Sequence, residues 1–230
     1  MLIIFDVDGT LIGGETHDWA CFDRALHQVL GFVHLPGFFD SLENVTAPSI
    51  VEAAALSCGI RPTAALYTQV QEAYLGNLRE VGGIDPNLFD AREGAYQLLN
   101  ELASAPGIDV AIATGDWFPT ISYKLECAGL DLSRFSIATA SDASRRAEII
   151  KIAAGRSGLS LDQAIYVGDG TWDLRACNEL GIPFVGTGTR IERLRKAGAN
   201  HLCEDFAPDV FLEIARNAAL RSLCSVRFRF

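Results

Sequence analysis

No run in the 230-residue sequence approaches membrane-spanning length, no CxxC pair occurs, and basic charge is in deficit. Each absence removes a class of function. Without a long apolar run, no transmembrane helix is expected. The cysteines Cys21, Cys58, Cys127, Cys177, Cys203 and Cys224 are scattered, which reads as reduced thiols in a cytoplasmic protein, not as a disulfide framework. No ligand pair has the close spacing of a zinc site. With 19 Lys+Arg against 29 Asp+Glu, the net charge of −10 argues against a nucleic-acid scanner or a binder of anionic membranes. A phosphate ester is still allowed as substrate, because a bound cation can invert the local field. The opening apolar stretch meets Asp6 almost at once and lacks a basic n-region or cleavage pattern, so no secretory signal is expected. Internal repeats and low-complexity segments are missing too. What is there, 49% hydrophobic and 21% charged residues, suits one folded α/β core with a satellite.

The most informative segment is Leu2-Ile3-Ile4-Phe5-Asp6-Val7-Asp8-Gly9-Thr10. An apolar strand delivers two carboxylates, one residue apart, into a glycine turn. Ligands of open α/β sheets sit beyond the carboxyl ends of the strands, and residues i and i+2 of a strand share a face. Asp6 and Asp8 are therefore expected to reach one point, where they could hold a hard cation while one carboxylate attacks. The plainer reading is an ordinary Asp-Gly turn.

Downstream, Gly13 and Gly14 form a joint. Helix-period segments follow: one carrying Trp19, Phe22, Leu26, Val29 and Leu30, a second near Ser49–Cys58 and a third near Thr63–Leu78. Val81-Gly82-Gly83 and Asp85-Pro86 read as the next break. Beyond it, helical segments alternate with the apolar runs Val110–Ala113, Phe135–Ala138, Ala164–Val167 and Pro183–Val185. Such alternation implies right-handed βαβ units and a mostly parallel sheet.

Three further constellations follow apolar runs or open helices. Ala113-Thr114-Gly115-Asp116 offers a hydroxyl beside a glycine N–H, suited to a phosphoryl oxygen or simply to loop punctuation. Arg145-Arg146 stands at the mouth of a helix, where a cation is mildly unfavourable. It could keep a nucleophilic carboxylate ionised and offset charge on a phosphoryl group, or be a surface pair. In Gly168-Asp169-Gly170-Thr171-Trp172-Asp173, Asp169 could complete an oxygen-ligand metal site with Asp6 and Asp8 while Asp173 fixes that site, a role compatible with its plainer reading as a helix N-cap.

Taken together, Asp6-Val7-Asp8-Gly9-Thr10, Thr114-Gly115, a basic residue at Arg146 or Arg145, and Gly168-Asp169 with Asp173 resemble the four motifs of the haloacid dehalogenase-like hydrolase superfamily. The resemblance covers essentially the whole chain. It implies a three-layer, doubly wound, Rossmann-like α/β core at 1–13 and 87–230, with an inserted helical C1 cap at 14–86. It further implies a cytoplasmic, Mg²⁺-dependent phosphatase resembling phosphoglycolate phosphatase and acting on a small phosphate ester. By the same resemblance Asp6 would attack phosphorus to form an aspartyl-phosphate, and Asp8 would serve as acid and base. Gly9, Thr114, the Gly115 N–H and Arg146 would bind the phosphoryl group. Mg²⁺ would be held by the Asp6 carboxylate, the Asp8 backbone carbonyl and Asp169, with Asp173 in support. Arg146 is favoured over Arg145 because Ala-Glu-Ile-Ile follows it.

Asp8 argues against a dehalogenase, whose halide leaves without a proton. A sugar phosphomutase and a non-catalytic phosphate-binding module are the alternatives. His17 reads as a solvated histidine at a helix start. Phe38-Phe39-Asp40 and Asn44-Val45-Thr46 are expected to face the cleft, with Trp117 and Trp172 packed nearby. The tail Arg221–Phe230 reads as a short frayed end. The expected partner is a small phosphate ester, with neither nucleic acid nor membrane involved, and the protein a monomer or homodimer.

Overall fold

The computed structural model describes all residues except 35–37, 39–41, 86 and 227–230, and for 221–226 the backbone alone. The strands are β1 (Leu2–Phe5), β2 (Asp109–Ala113), β3 (Ser136–Ala138), β4 (Ala164–Gly168), β5 (Phe184–Gly186) and β6 (His201–Leu202). They form one parallel sheet in the order β3-β2-β1-β4-β5-β6. That order puts the switch point between β1 and β4, beyond whose carboxyl ends ligands of doubly wound sheets bind.

Apolar residues on both faces of each strand explain why the sheet is covered on both sides. Leu2, Ile4, Ala111 and Tyr166 face α6 (Arg146–Ser157) and α7 (Thr171–Leu180). Ile3, Phe5, Ile112 and Val167 face α4 (Ala95–Ser104), α5 (Phe118–Cys127) and α9 (Pro208–Val226). Phe5 stacks on Phe211 with ring centroids 5.6 Å apart. Three helices, α1 (Glu15–Leu30), α2 (Ala47–Ser57) and α3 (Ala64–Ile84), come between β1 and the rest. Their apolar faces, with Phe22, Leu26, Val51, Val70 and Leu78, join the same cluster as Leu2 and Ile4.

The two chain segments joining these helices to the sheet run side by side. Gly13 N–H donates to Asp90 O at 2.9 Å and Arg92 N–H to Leu11 O at 2.9 Å. At the other end of the three-helix unit, Thr46 and Ser49 fasten α2 to the loop before α6. The Thr46 hydroxyl donates to Ser144 O at 2.6 Å and the Ser49 hydroxyl to the same oxygen at 3.1 Å.

Several local expectations are corrected. Val81-Gly82-Gly83 is no break: α3 runs on to Ile84. Gly82 is there for packing, since a Cβ would collide with the Tyr123 hydroxyl on α5. Asp173 is the third residue of α7, not its N-cap, and its Oδ2 accepts from Gly170 N–H at 3.0 Å. Helix α8 (Ile191–Lys196) and β6 had no apolar pattern strong enough to announce them, whereas α9 carries a helical stripe of Phe211, Ile214, Ala215 and Ala218 that was not read. Helix α9 continues through Val226, so the first part of the tail is helical, and 227–230 lie outside the described residues. No helix of the described residues is long and apolar enough to cross a membrane.

Candidate functional site

Strand ends converge on one cleft, lined by Asp6, Asp8, Thr114, Gly115, Arg146 and Asp169 from the sheet side. Asp6 leaves β1 with its N–H bonded to Val167 O at 2.9 Å, which ties it to the end of β4. Gly9 turns the chain at φ 76°, and its bare Cα makes room for Asp169: a Cβ would strike that carboxylate. Arg92 Nη1 donates to Gly9 O at 2.9 Å and steadies the turn. Thr114 is buried, and its Oγ1 accepts from Asp116 N–H at 3.2 Å. A hydroxyl oxygen that accepts there can still donate its proton to a ligand oxygen.

Of the basic pair, Arg146 turns inward and Arg145 outward. Arg146 is 5% exposed; its Nη1 donates to Asp6 Oδ1 at 2.9 Å, and its Nε lies 3.4 Å from Asp173 Oδ1. Tyr166 on β4 supports it at 3.4 Å, and Val45 O accepts from Nη2 at 3.2 Å. Burial opposes the guanidinium charge, but Asp173 and Asp6 more than offset it. Arg145 pairs with Glu179 at 2.9 Å in the open.

Oxygen atoms of Asp6, Asp169 and Asp173 lie within 4.8 Å of one another, all buried. Packing three carboxyls out of water makes their charged forms costly. Asp6 is raised to about 7, chiefly by burial and against the pull of Arg146, while Asp169 and Asp173 are raised to about 6 for the same first reason. Such an all-carboxylate set, short of positive charge, has the chemistry of a hard divalent-cation site. Part of the deficit is met by Arg190, whose Nη2 reaches Asp169 Oδ2 at 2.7 Å and whose guanidinium lies 5.5 Å from the Trp172 ring centre.

Asp8 departs from the expected pairing with Asp6. Its carboxylate is not in that cluster but meets Lys124 Nζ at 2.6 Å. Lys124, wholly buried on α5, also contacts Asp18 and Asp116, each at 2.9 Å. Tyr74 on α3 donates to Asp18 Oδ1 and lies 3.4 Å from Lys124 Nζ. Burial opposes the ammonium, but the carboxylates of Asp116, Asp18 and Asp8 hold its pKa well above the ordinary value. Asp8 is raised well above its usual range, first by burial and against Lys124.

The remaining expectations divide. Val45 and Thr46 line the cleft, whereas Asn44 lines a neighbouring cavity behind Arg146. Phe38 packs on Phe32 at 4.9 Å, away from the cleft, and Phe39 and Asp40 lie outside the described residues. Trp117 is buried; Trp172 lines the cleft. His17 is exposed near the start of α1. Lys124, Asp18, Tyr74 and Arg190 were missed. Lys124 had a readable signal, a charge on the helix face that Ile121 and Leu125 bury; Arg190 follows β5 in a polar loop without any.

The family model described as haloacid dehalogenase-like hydrolase matches residues 3–187 of the chain. The chain belongs to this family. The match spans all of the converging strand ends from β1 to β5. A hydrolase from Pseudomonas syringae has the same fold with TM-score 0.75 at 22% identity, over 94% of this chain and 98% of that one. A β-phosphoglucomutase from Clostridium difficile gives 0.73 at 18%, over 97% and 98%. A predicted phosphoglycolate phosphatase from Haemophilus somnus gives 0.62 at 18%, over 92% and 96%. No curated protein matches the chain in sequence. As a haloacid dehalogenase-like hydrolase the protein is an enzyme, built on the doubly wound sheet expected.

Proposed function

We propose that this hydrolase cleaves small phosphate monoesters through a phosphoryl group held transiently on Asp6. The observation that carries the reading is the Asp6 carboxylate itself: buried at the switch point, facing the cleft, and gripped by Arg146 at 2.9 Å. The fixed guanidinium favours the anionic form of that carboxylate against the cost of its burial and faces the charge of an incoming phosphoryl group.

An Asp6 oxygen attacks phosphorus in line, and the bond from phosphorus to the ester oxygen breaks. Asp8, lining the same cleft, gives its proton to the departing alcohol oxygen. Water then attacks the aspartyl-phosphate, Asp8 takes back a proton, and inorganic phosphate leaves with Asp6 restored. Thr114, the Gly115 N–H and Arg146 orient the phosphoryl oxygens, with Gly9 leaving room at the turn. Asp6 and Asp169, with the Asp8 backbone carbonyl and Asp173 in support, are the residues that would hold Mg²⁺. When bound, the ion supplies charge neutralisation and a template for the phosphoryl oxygens. Residues 14–86 serve as the cap and 1–13 with 87–230 as the core, the cap closing the cleft against bulk water.

The test is release of inorganic phosphate from a panel of monoesters, with and without Mg²⁺, alongside acid-quenched mass spectrometry of the protein. A mass increment of one phosphoryl group on the peptide carrying Asp6 is expected during turnover. Turnover without it, or undiminished in Asp6→Asn, overturns the assignment.

A further inference from the structure

The cleft has two halves of opposite character. On the sheet side stand its lining cations, Arg146 and Arg190, both engaged with the carboxylate cluster where the phosphoryl group belongs. Lys124 lies beneath, buried and shared among three carboxylates. The opposite wall is drawn from residues 14–86 and includes Glu15, Asp18, Trp19, Phe22, Ile50 and Tyr74. That wall is mainly aromatic and aliphatic, with two carboxylates, the Thr46 hydroxyl and no cation among the described residues.

The sequence leaves little room for a cation to enter from elsewhere in the cap. Residues 14–86 contain no lysine and three arginines, Arg24, Arg61 and Arg79. All three side chains are exposed and none lines the cleft; Arg24 pairs with Glu80 at 2.9 Å. The residues outside the description, 35–37, 39–41 and 86, include no basic one.

From this we infer that the substrate's phosphoryl group is its only anionic group, and that its alcohol half presents an apolar, preferably aromatic, face to the cap. The inference rests on the phosphatase reading and narrows it. An alcohol half bearing a carboxylate or a second phosphate would be desolvated against Trp19, Phe22 and Ile50. It would also meet Glu15 and Asp18, and the cations nearest them, Arg190 and Lys124, are already engaged with carboxylates of the protein. An uncharged ring or alkyl chain instead gains from covering the same wall. Phosphoglycolate and sugar bisphosphates are therefore poor fits, and with the latter goes the phosphomutase alternative, whose intermediate carries two phosphoryl groups.

The experiment compares matched esters on the full-length protein with Mg²⁺: phenyl phosphate against 4-carboxyphenyl phosphate, and 2-hydroxyethyl phosphate against phosphoglycolate. The carboxylate is expected to lower kcat/KM about tenfold or more in each pair. In Glu15→Lys the gap narrows because a cation now faces the alcohol half; Glu15→Gln narrows it less and guards against misfolding of the lysine variant. Equal or better turnover of the carboxylated esters overturns the inference while the phosphatase reading stands. No phosphate release from any of the four by folded protein overturns the phosphatase reading, and the inference with it.

Discussion

Asp6 and Asp8 stand two positions apart in the chain yet answer to different cations, Arg146 for one and Lys124 for the other. That division separates a group suited to attack from one suited to carry a proton, since each carboxylate keeps its own partner and its own surroundings. Arg146 and its neighbour make the sharpest comparison at this scale. Arg146→Ala leaves Asp6 and Asp173 buried without their shared guanidinium, a loss of about 3–5 kcal/mol typical of a broken buried pair. Arg145→Ala removes an exposed pair worth about 0–1 kcal/mol. Chemical denaturation of both variants, with phosphate release beside it, is expected to show a large stability loss and near-complete inactivation for Arg146→Ala only. Equal behaviour would mean that the inward side chain has no special part. This inward turn was legible beforehand only through the Ala-Glu-Ile-Ile that follows, because helical spacing alone does not say which of two adjacent residues faces a strand end.

Helix α5 shows how an element can bind two parts of the molecule through one side chain. Lys124 draws on Asp116 just ahead of α5, Asp8 from the first motif, and Asp18 with Tyr74 from α1 and α3. Removing the ammonium with Lys124→Met leaves three buried carboxylates facing one another, so the destabilisation should be larger at pH 8 than at pH 5, where protons can replace the lost charge. Urea unfolding at the two pH values tests this; equal loss at both would show that Lys124 contributes packing alone. Tyr74→Phe is the milder probe, with about 1.5–3 kcal/mol expected for losing a hydroxyl bonded to charged partners. The periodic strands and helices from β1 to β5 were readable because each carries an apolar run or stripe that burial requires. The Gly82-Gly83 misreading arose because glycine marks both chain breaks and close helix contacts, and only the position of Tyr123 decides between them. Likewise the cation network was hidden, since its members come from four separate segments and no local spacing joins them.

For the molecule as a whole, the carboxylate cluster sets a pH dependence that a divalent cation should reverse. Asp6 is raised to about 7, and Asp169 and Asp173 to about 6, from an ordinary value of 3.8. Between roughly pH 4 and 7 the folded chain therefore holds protons that the unfolded chain has released. Their contribution to stability is fully present below about pH 4 and is lost as pH rises through 6 to 7. Asp142, held low by its hydrogen bonds with Arg156, works the other way and loses its contribution as pH falls below the ordinary carboxylate range. Chelator-treated protein is thus expected to have its highest Tm on the acid side of neutrality. A cation bound by the same carboxylates must displace those protons, so binding strengthens as pH rises. Mg²⁺ at about 100 times its Kd adds about 2.7 kcal/mol, and the Tm gain on adding a fixed Mg²⁺ concentration should be clearly greater at pH 7.5 than at pH 5. Thermal scans at both values, without any substrate, decide the matter: a gain independent of pH, or none at pH 7.5, would mean that Asp6, Asp169 and Asp173 do not hold the ion.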